Sequence, residues 1–143
     1  IRNWIIISIL YMNGTKIISG GILAGIIFYA LSLLVWALLK VLPVVPLSIA
    51  VPAGGLGKGW QLMHLLVLLF AGLTWSLGYA VYGRAREGGW LYGAMMFTVG
   101  VLPAFVANFV LAPEARTMIF YGAVVSFIGA LLAGKAVSLV MRK

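Results

Sequence analysis

The chain has 143 residues, 64% of them hydrophobic and 8% charged, with ten Lys and Arg against two acidic residues for a net charge of +8. A soluble chain carries roughly 25% charged residues, and a domain of about 150 residues still exposes roughly 30% of its unfolded surface. This composition therefore excludes a water-soluble globule and assigns the excess apolar surface to lipid. With no Cys, no Asp, one His and two Glu, disulfides, thiolate chemistry and Cys-ligated metals are excluded, and a metal site or catalytic triad within one chain is not expected. The expectation is a protein that is not an enzyme and holds no cofactor.

In chain order, Ile1–Leu10 is apolar and Ile-rich but too short to span a bilayer. It forms the start of a segment, residues 1–15, expected to lie in the interface with Arg2 and Trp4 as anchors, or to pack on a partner. Asn13-Gly14 is expected to break it from the first helix. Residues 16–143 then form one transmembrane domain. Spanning the hydrocarbon takes about 20 apolar residues, and four segments qualify, near 17–39, 60–82, 90–112 and 117–140. They are continuously apolar without strict alternation, which disfavours a β-barrel. The fold expected is an all-α integral membrane bundle of four transmembrane helices.

The Lys40–Gly59 connection carries Pro43, Pro46 and Pro52, then Gly54, Gly55, Gly57 and Gly59, so regular helix is not expected there. It is nonetheless apolar and should lie on the outer interface, dip inward or cover another subunit. In the third helix Pro103 removes a backbone donor and frees the carbonyl of Val99, predicting a kink or hinge.

The basic residues set the orientation. Lys16, Arg84, Arg86, Arg142 and Lys143 fall on one side, with Lys135 close enough to snorkel to it. Lys40, Lys58 and Arg116 fall on the other. The positive-inside rule then places both termini in the cytoplasm. These cations occur one or two at a time between apolar runs, as membrane flanks and not as a nucleic-acid surface. Trp36 and Trp60 at the outer level, and Tyr79, Tyr82, Trp90 and Tyr92 at the inner level, read as interfacial belts. Trp75 lies deeper.

An internal repeat is visible. Lys16-x-x-x-Gly20-Gly21-x-Leu23-x-Gly25 recurs as Arg84-x-x-x-Gly88-Gly89-x-Leu91-x-Gly93, each opening a helix that runs outward, so the halves read as two parallel two-helix repeats. Small residues, which let helix backbones approach in lipid, mark a face on every helix: Gly21 and Gly25; Gly72 and Ser76; Gly89 and Gly93; and Gly122, Ser126, Ala130 and Gly134. Two uses fit these faces: closing one bundle, or docking a second copy or another subunit.

Polar side chains at membrane depth are functional candidates by default. Gln61 and His64 in the first turns of the second helix, and Asn108 near the outer end of the third, fall at one level. Glu114 and Arg116 sit just beyond it. The five are the candidate ligand-binding residues, as an outward-facing polar pocket. His64 also raises haem ligation, with Met63, another Met or another copy as second ligand.

The pattern Gly59-Trp60-x-x-x-His64 after a Pro/Gly-rich loop, Gly88-Gly89-x-x-x-Gly93, and Tyr121-Gly122 opening the last helix resembles small bacterial four-helix integral membrane proteins of unknown function. The resemblance runs from about Lys16 to Lys143 and implies the four-helix architecture in a bacterial inner membrane. The reading of function is a non-catalytic membrane subunit, with the lipid bilayer and other subunits or copies of itself as partners. The alternatives are a homo-oligomeric small transporter or channel built on the polar level, and a haem- or quinone-contacting subunit.

Overall fold

A computed structural model of the chain describes residues 2–41, 59–83 and 88–142. Helix α1 runs from Arg2 to Val41. Helix α2, Trp60–Gly78, continues as a π-helical segment, Tyr79–Gly83. Helix α3, Gly89–Met96, passes through a second π segment, Phe97–Val101, into α4, Leu102–Leu111. A 3-10 turn, Pro113–Ala115, leads into α5, Arg116–Arg142. Among the described residues four stretches are long and apolar enough to cross a membrane: Gly14–Val35, Trp60–Val81, Gly89–Leu111 and Pro113–Met141. The fold is thus an all-α, multi-pass four-span bundle, because in lipid a helix satisfies every backbone group within its own segment.

Two expectations are corrected. Asn13-Gly14 does not break the chain, since α1 is one helix of 40 residues and begins well before Ile17. A helical glycine costs only about 1 kcal/mol, and a helix nucleated on both sides propagates through it. Tyr79 and Tyr92 are not interfacial: they are 5% and 4% exposed and belong to the core. The Pro- and Gly-rich residues 42–58, with Arg84, Arg86, Glu87 and Lys143, lie outside the described residues, as do the side chains of Arg2, Trp4, Trp36, Lys40, Tyr82 and Arg142.

The irregularity expected at Pro103 lies in the turn before it. Leu102 donates its N–H to the carbonyl of Phe97, five residues back, and Pro103 occupies the first turn of α4. A proline ring collides with the carbonyl four residues earlier and offers no N–H to it. The widened turn over Phe97–Val101 accommodates both, and it divides the third span into α3 and α4.

In space the spans lie in the order second, first, fourth, third: α1 packs on α2 and on α5, and α3 packs on α5. Two glycine locks set the α1–α2 and α3–α5 contacts. A Cβ on Gly21 would sit 2.7 Å from the Cα of Leu73, and one on Gly25 would sit 2.7 Å from the Cα of Leu69. Conversely, a Cβ on Gly72 would overlap the Gly21 carbonyl oxygen and the Gly25 amide. The second half repeats the device. A Cβ on Gly89 would sit 2.7 Å from the Cα of Lys135, one on Gly93 2.9 Å from the Cα of Leu131, and one on Gly134 would overlap the Gly89 carbonyl oxygen. In each pair a G-x-x-x-G on the first helix thus clasps one glycine of the second, where only missing side chains permit backbone contact. One turn on, each second helix carries a fully buried serine, Ser76 and Ser138. The sequence repeat is therefore also a structural one.

The two serines differ. Ser138 donates to the Lys135 carbonyl at 2.7 Å, while among the described residues the buried Ser76 hydroxyl has no hydrogen-bond partner. A buried polar group left unpaired costs about 1–3 kcal/mol. Ser76→Ala is therefore expected to raise stability by about 1 kcal/mol, measured by unfolding in mixed detergent micelles; a loss of stability would show that the hydroxyl is satisfied.

Candidate functional site

The chain's polar and aromatic side chains separate into a closed end and an open end. At the closed end, toward Gly89, Tyr92 joins the second and third spans. Its hydroxyl donates to the Trp75 carbonyl at 2.5 Å, and its ring meets those of Tyr79 and Trp75 edge-on at 4.9 and 6.1 Å. Trp75 in turn meets Phe28 of α1 edge-on at 5.1 Å. Trp75 is the hub of this core. The Tyr92 hydroxyl takes a share of a helix carbonyl just where α2 widens into its π segment, an insertion that unwinds helices locally. Tyr92→Phe is expected to cost about 1 kcal/mol, the net worth of one such hydrogen bond, read in the same unfolding assay.

Toward the open end, above Trp75, lies a cavity of about 340 Å³. Its walls come from α1 (Phe28, Leu31, Ser32, Val35), α2 (Leu68, Ala71, Trp75) and α5 (Gly122, Val125, Ser126, Gly129, Ala130). From the third span the lining includes Val101. The two halves of the α5 small-residue stripe thus have different uses. Ala130, Gly134 and Ser138 are buried, with Ala130 and Gly134 against Gly93 and Gly89 of α3, while Gly122 and Ser126 line the cavity.

At the rim stands a paired Ser–His. The Ser32 Oγ lies 2.8 Å from His64 Nε2 and 2.8 Å from the carbonyl oxygen of Tyr29. The serine has one proton. When it donates to Tyr29, His64 must donate through Nε2. Trp60 stacks on the imidazole at 4.9 Å with an interplanar angle of 8°, and Tyr29 approaches it at 5.8 Å. These contacts bind the first turns of α2 to α1.

The five residues expected to form a polar pocket are not joined. His64 turns to α1. Arg116 donates through Nε to the Phe109 carbonyl at 3.1 Å and lies over the Phe109 ring at 5.3 Å. Gln61, Asn108 and Glu114 are exposed. Among the described residues no hydrogen bond or ion pair links His64 to Asn108, Glu114 or Arg116. With Nε2 engaged by Ser32 and one face covered by Trp60, His64 stands in a helix-joining contact, not in an open ligand position. Among the described residues no group of three or more His, Cys, Asp and Glu could hold a metal ion. The Lys135 ammonium lies over the exposed Trp90 ring at 5.9 Å.

Sequence reasoning missed Ser32 and the cavity. A serine in an apolar helix is ordinarily satisfied by its own backbone, and its second partner is 32 residues away. No known protein family matches the chain, and no curated protein or solved structure is significantly similar to it.

Proposed function

We propose that the chain is a non-catalytic helical subunit that packs within a larger membrane assembly. The observation that carries this reading is the length of α1. Its 40 residues reach about 60 Å at 1.5 Å per residue, twice the roughly 30 Å of a hydrocarbon core. The span Gly14–Val35 accounts for the crossing. Residues 2–13 continue the same helix beyond it, and their sequence includes Trp4-Ile5-Ile6-Ile7 and Ile9-Leu10. An unbroken helix cannot fold back into the interface, and so apolar a stretch is not stable alone in water. A protein partner that covers it resolves both constraints.

The third span supports the same reading. Of its apolar core 6% is buried in the chain, against 28%, 28% and 33% for the other three. Val110 and Leu111 are 65% and 79% exposed. The basic-residue bias favours cytoplasmic termini, and the membrane proposed is a bacterial inner membrane.

Removal of residues 2–11 is the test. All residues of both glycine locks and the aromatic core lie from Ile17 onward, so the shortened chain should keep its helical content and unfolding midpoint. On native gels from gently solubilised membranes it should lose the co-migrating partner that the full chain retains. Unchanged migration of the shortened chain, or migration of the full chain alone, contradicts the proposal.

A further inference from the structure

We infer that the cavity beneath Ser32 is a binding site for one hydrocarbon chain of a bilayer lipid, which enters between α2 and α4 with its ester or hydroxyl head at the Ser32–His64 level.

Four observations converge. First, the cavity of about 340 Å³ falls in the range of roughly 300–1,000 Å³ usual for small-molecule sites. Second, its lining is apolar except for the hydroxyls of Ser32 and Ser126 and the indole N–H of Trp75. A buried water needs two to four polar partners, and the Ser32 hydroxyl already serves Tyr29 and His64. Water is therefore a poor occupant, and an unfilled void of this size forfeits the packing of every atom that lines it. Hydrocarbon is the occupant that satisfies the walls.

Third, the two locked helix pairs leave one seam for entry. The first and second spans are locked by Gly21, Gly25 and Gly72, and the third and fourth by Gly89, Gly93 and Gly134. The seam between the first and fourth spans is packed, whereas its counterpart under the repeat, between the second and third, is closed by Tyr92 at one end. The cavity lining includes Leu68, Ala71 and Trp75 from the second span and Val101 from the third. Fourth, depth fits an amphipathic molecule. Ser32 and His64 lie within a turn of the membrane end of their spans, Gly14–Val35 and Trp60–Val81, where ester and hydroxyl groups reside. Trp75 lies further in, eleven residues beyond His64 along α2, about 16 Å at 1.5 Å per residue.

Trp75, 7% exposed, reports occupancy directly. A chain with Trp4, Trp36, Trp60 and Trp90 replaced by Phe keeps Trp75 as its one fluorophore. It is reconstituted in phosphatidylcholine vesicles whose acyl chains are brominated, and in the same lipid without bromine. Bromine quenches indole at short range. Emission is expected to fall in the brominated vesicles, because the bound chain would lie against the ring. Ala71→Leu and Ser126→Leu, each filling the cavity from a different wall, should restore most of the emission while helical content is unchanged. Absence of quenching in the starting chain overturns the proposal, as does equal quenching in both filled variants. Quenching that disappears in the co-purified native assembly also overturns it, since a partner's side chains would then be the occupant.

Discussion

Gly72→Leu is expected to unfold the first helix pair. Overpacking a core costs about 1–3 kcal/mol when neighbouring side chains can shift. At Gly72 the obstructing atoms are the Gly21 carbonyl oxygen, the Gly25 amide nitrogen and the Gly25 Cα, which belong to backbone and cannot rotate aside. The loss is therefore expected at or above about 3 kcal/mol. Gly134→Leu meets the equivalent atoms of Gly89 and Gly93 and should be equally damaging in the second pair. The contrast is with Gly14 and Gly100, where an added Cβ meets no heavy atom within 4 Å. Leucine at either should be neutral or stabilise by about 0.5–1 kcal/mol, since it removes the entropy of a helical glycine. Unfolding midpoints in mixed micelles separate the two groups. A Gly72→Leu chain as stable as Gly14→Leu would mean that the helices do not approach as described.

The second large effect is expected at Trp75. Its ring touches Phe28 of α1 and Tyr92 of α3 edge-on and forms the cavity floor. Trp75→Ala removes both contacts and merges the space with the cavity above. Large-to-small substitutions of this kind cost about 3–5 kcal/mol in water-soluble cores. The lower end, about 3 kcal/mol, applies here, because the separated helices stay in lipid and the water-transfer part is absent. Trp75→Phe, which keeps a ring in place, should lose less than half as much. Equal losses for the two variants would show that the indole edge contacts contribute nothing specific.

The four spans were legible because lipid imposes a length of about 20 apolar residues, and Trp60, Gly89 and Arg116 mark three starts within a residue or two of expectation. Their pairing was not legible. The four-residue spacing of Gly21 and Gly25 shows that a face exists, but nothing in it names Gly72 as the partner. Tyr79 and Tyr92 read as a belt because they lie near one membrane level; what buries them is the meeting of two spans distant in sequence. The same holds for Ser32 and His64. The N-terminal extension of α1 was misread for a different reason: Asn13-Gly14 is a strong turn signal in an isolated segment, yet helix cooperativity on both sides overrides it. Pro103 predicted an irregularity at the right place, though a proline alone does not say whether the turn before it bends or widens.

Native mass spectrometry of the chain released from its own membrane with lipids retained should show a complex in which this 15.3 kDa chain accompanies a different membrane protein, dissociating when residues 2–11 are removed. A species carrying only this chain and bound lipid, whatever the release conditions, would contradict the proposed assembly.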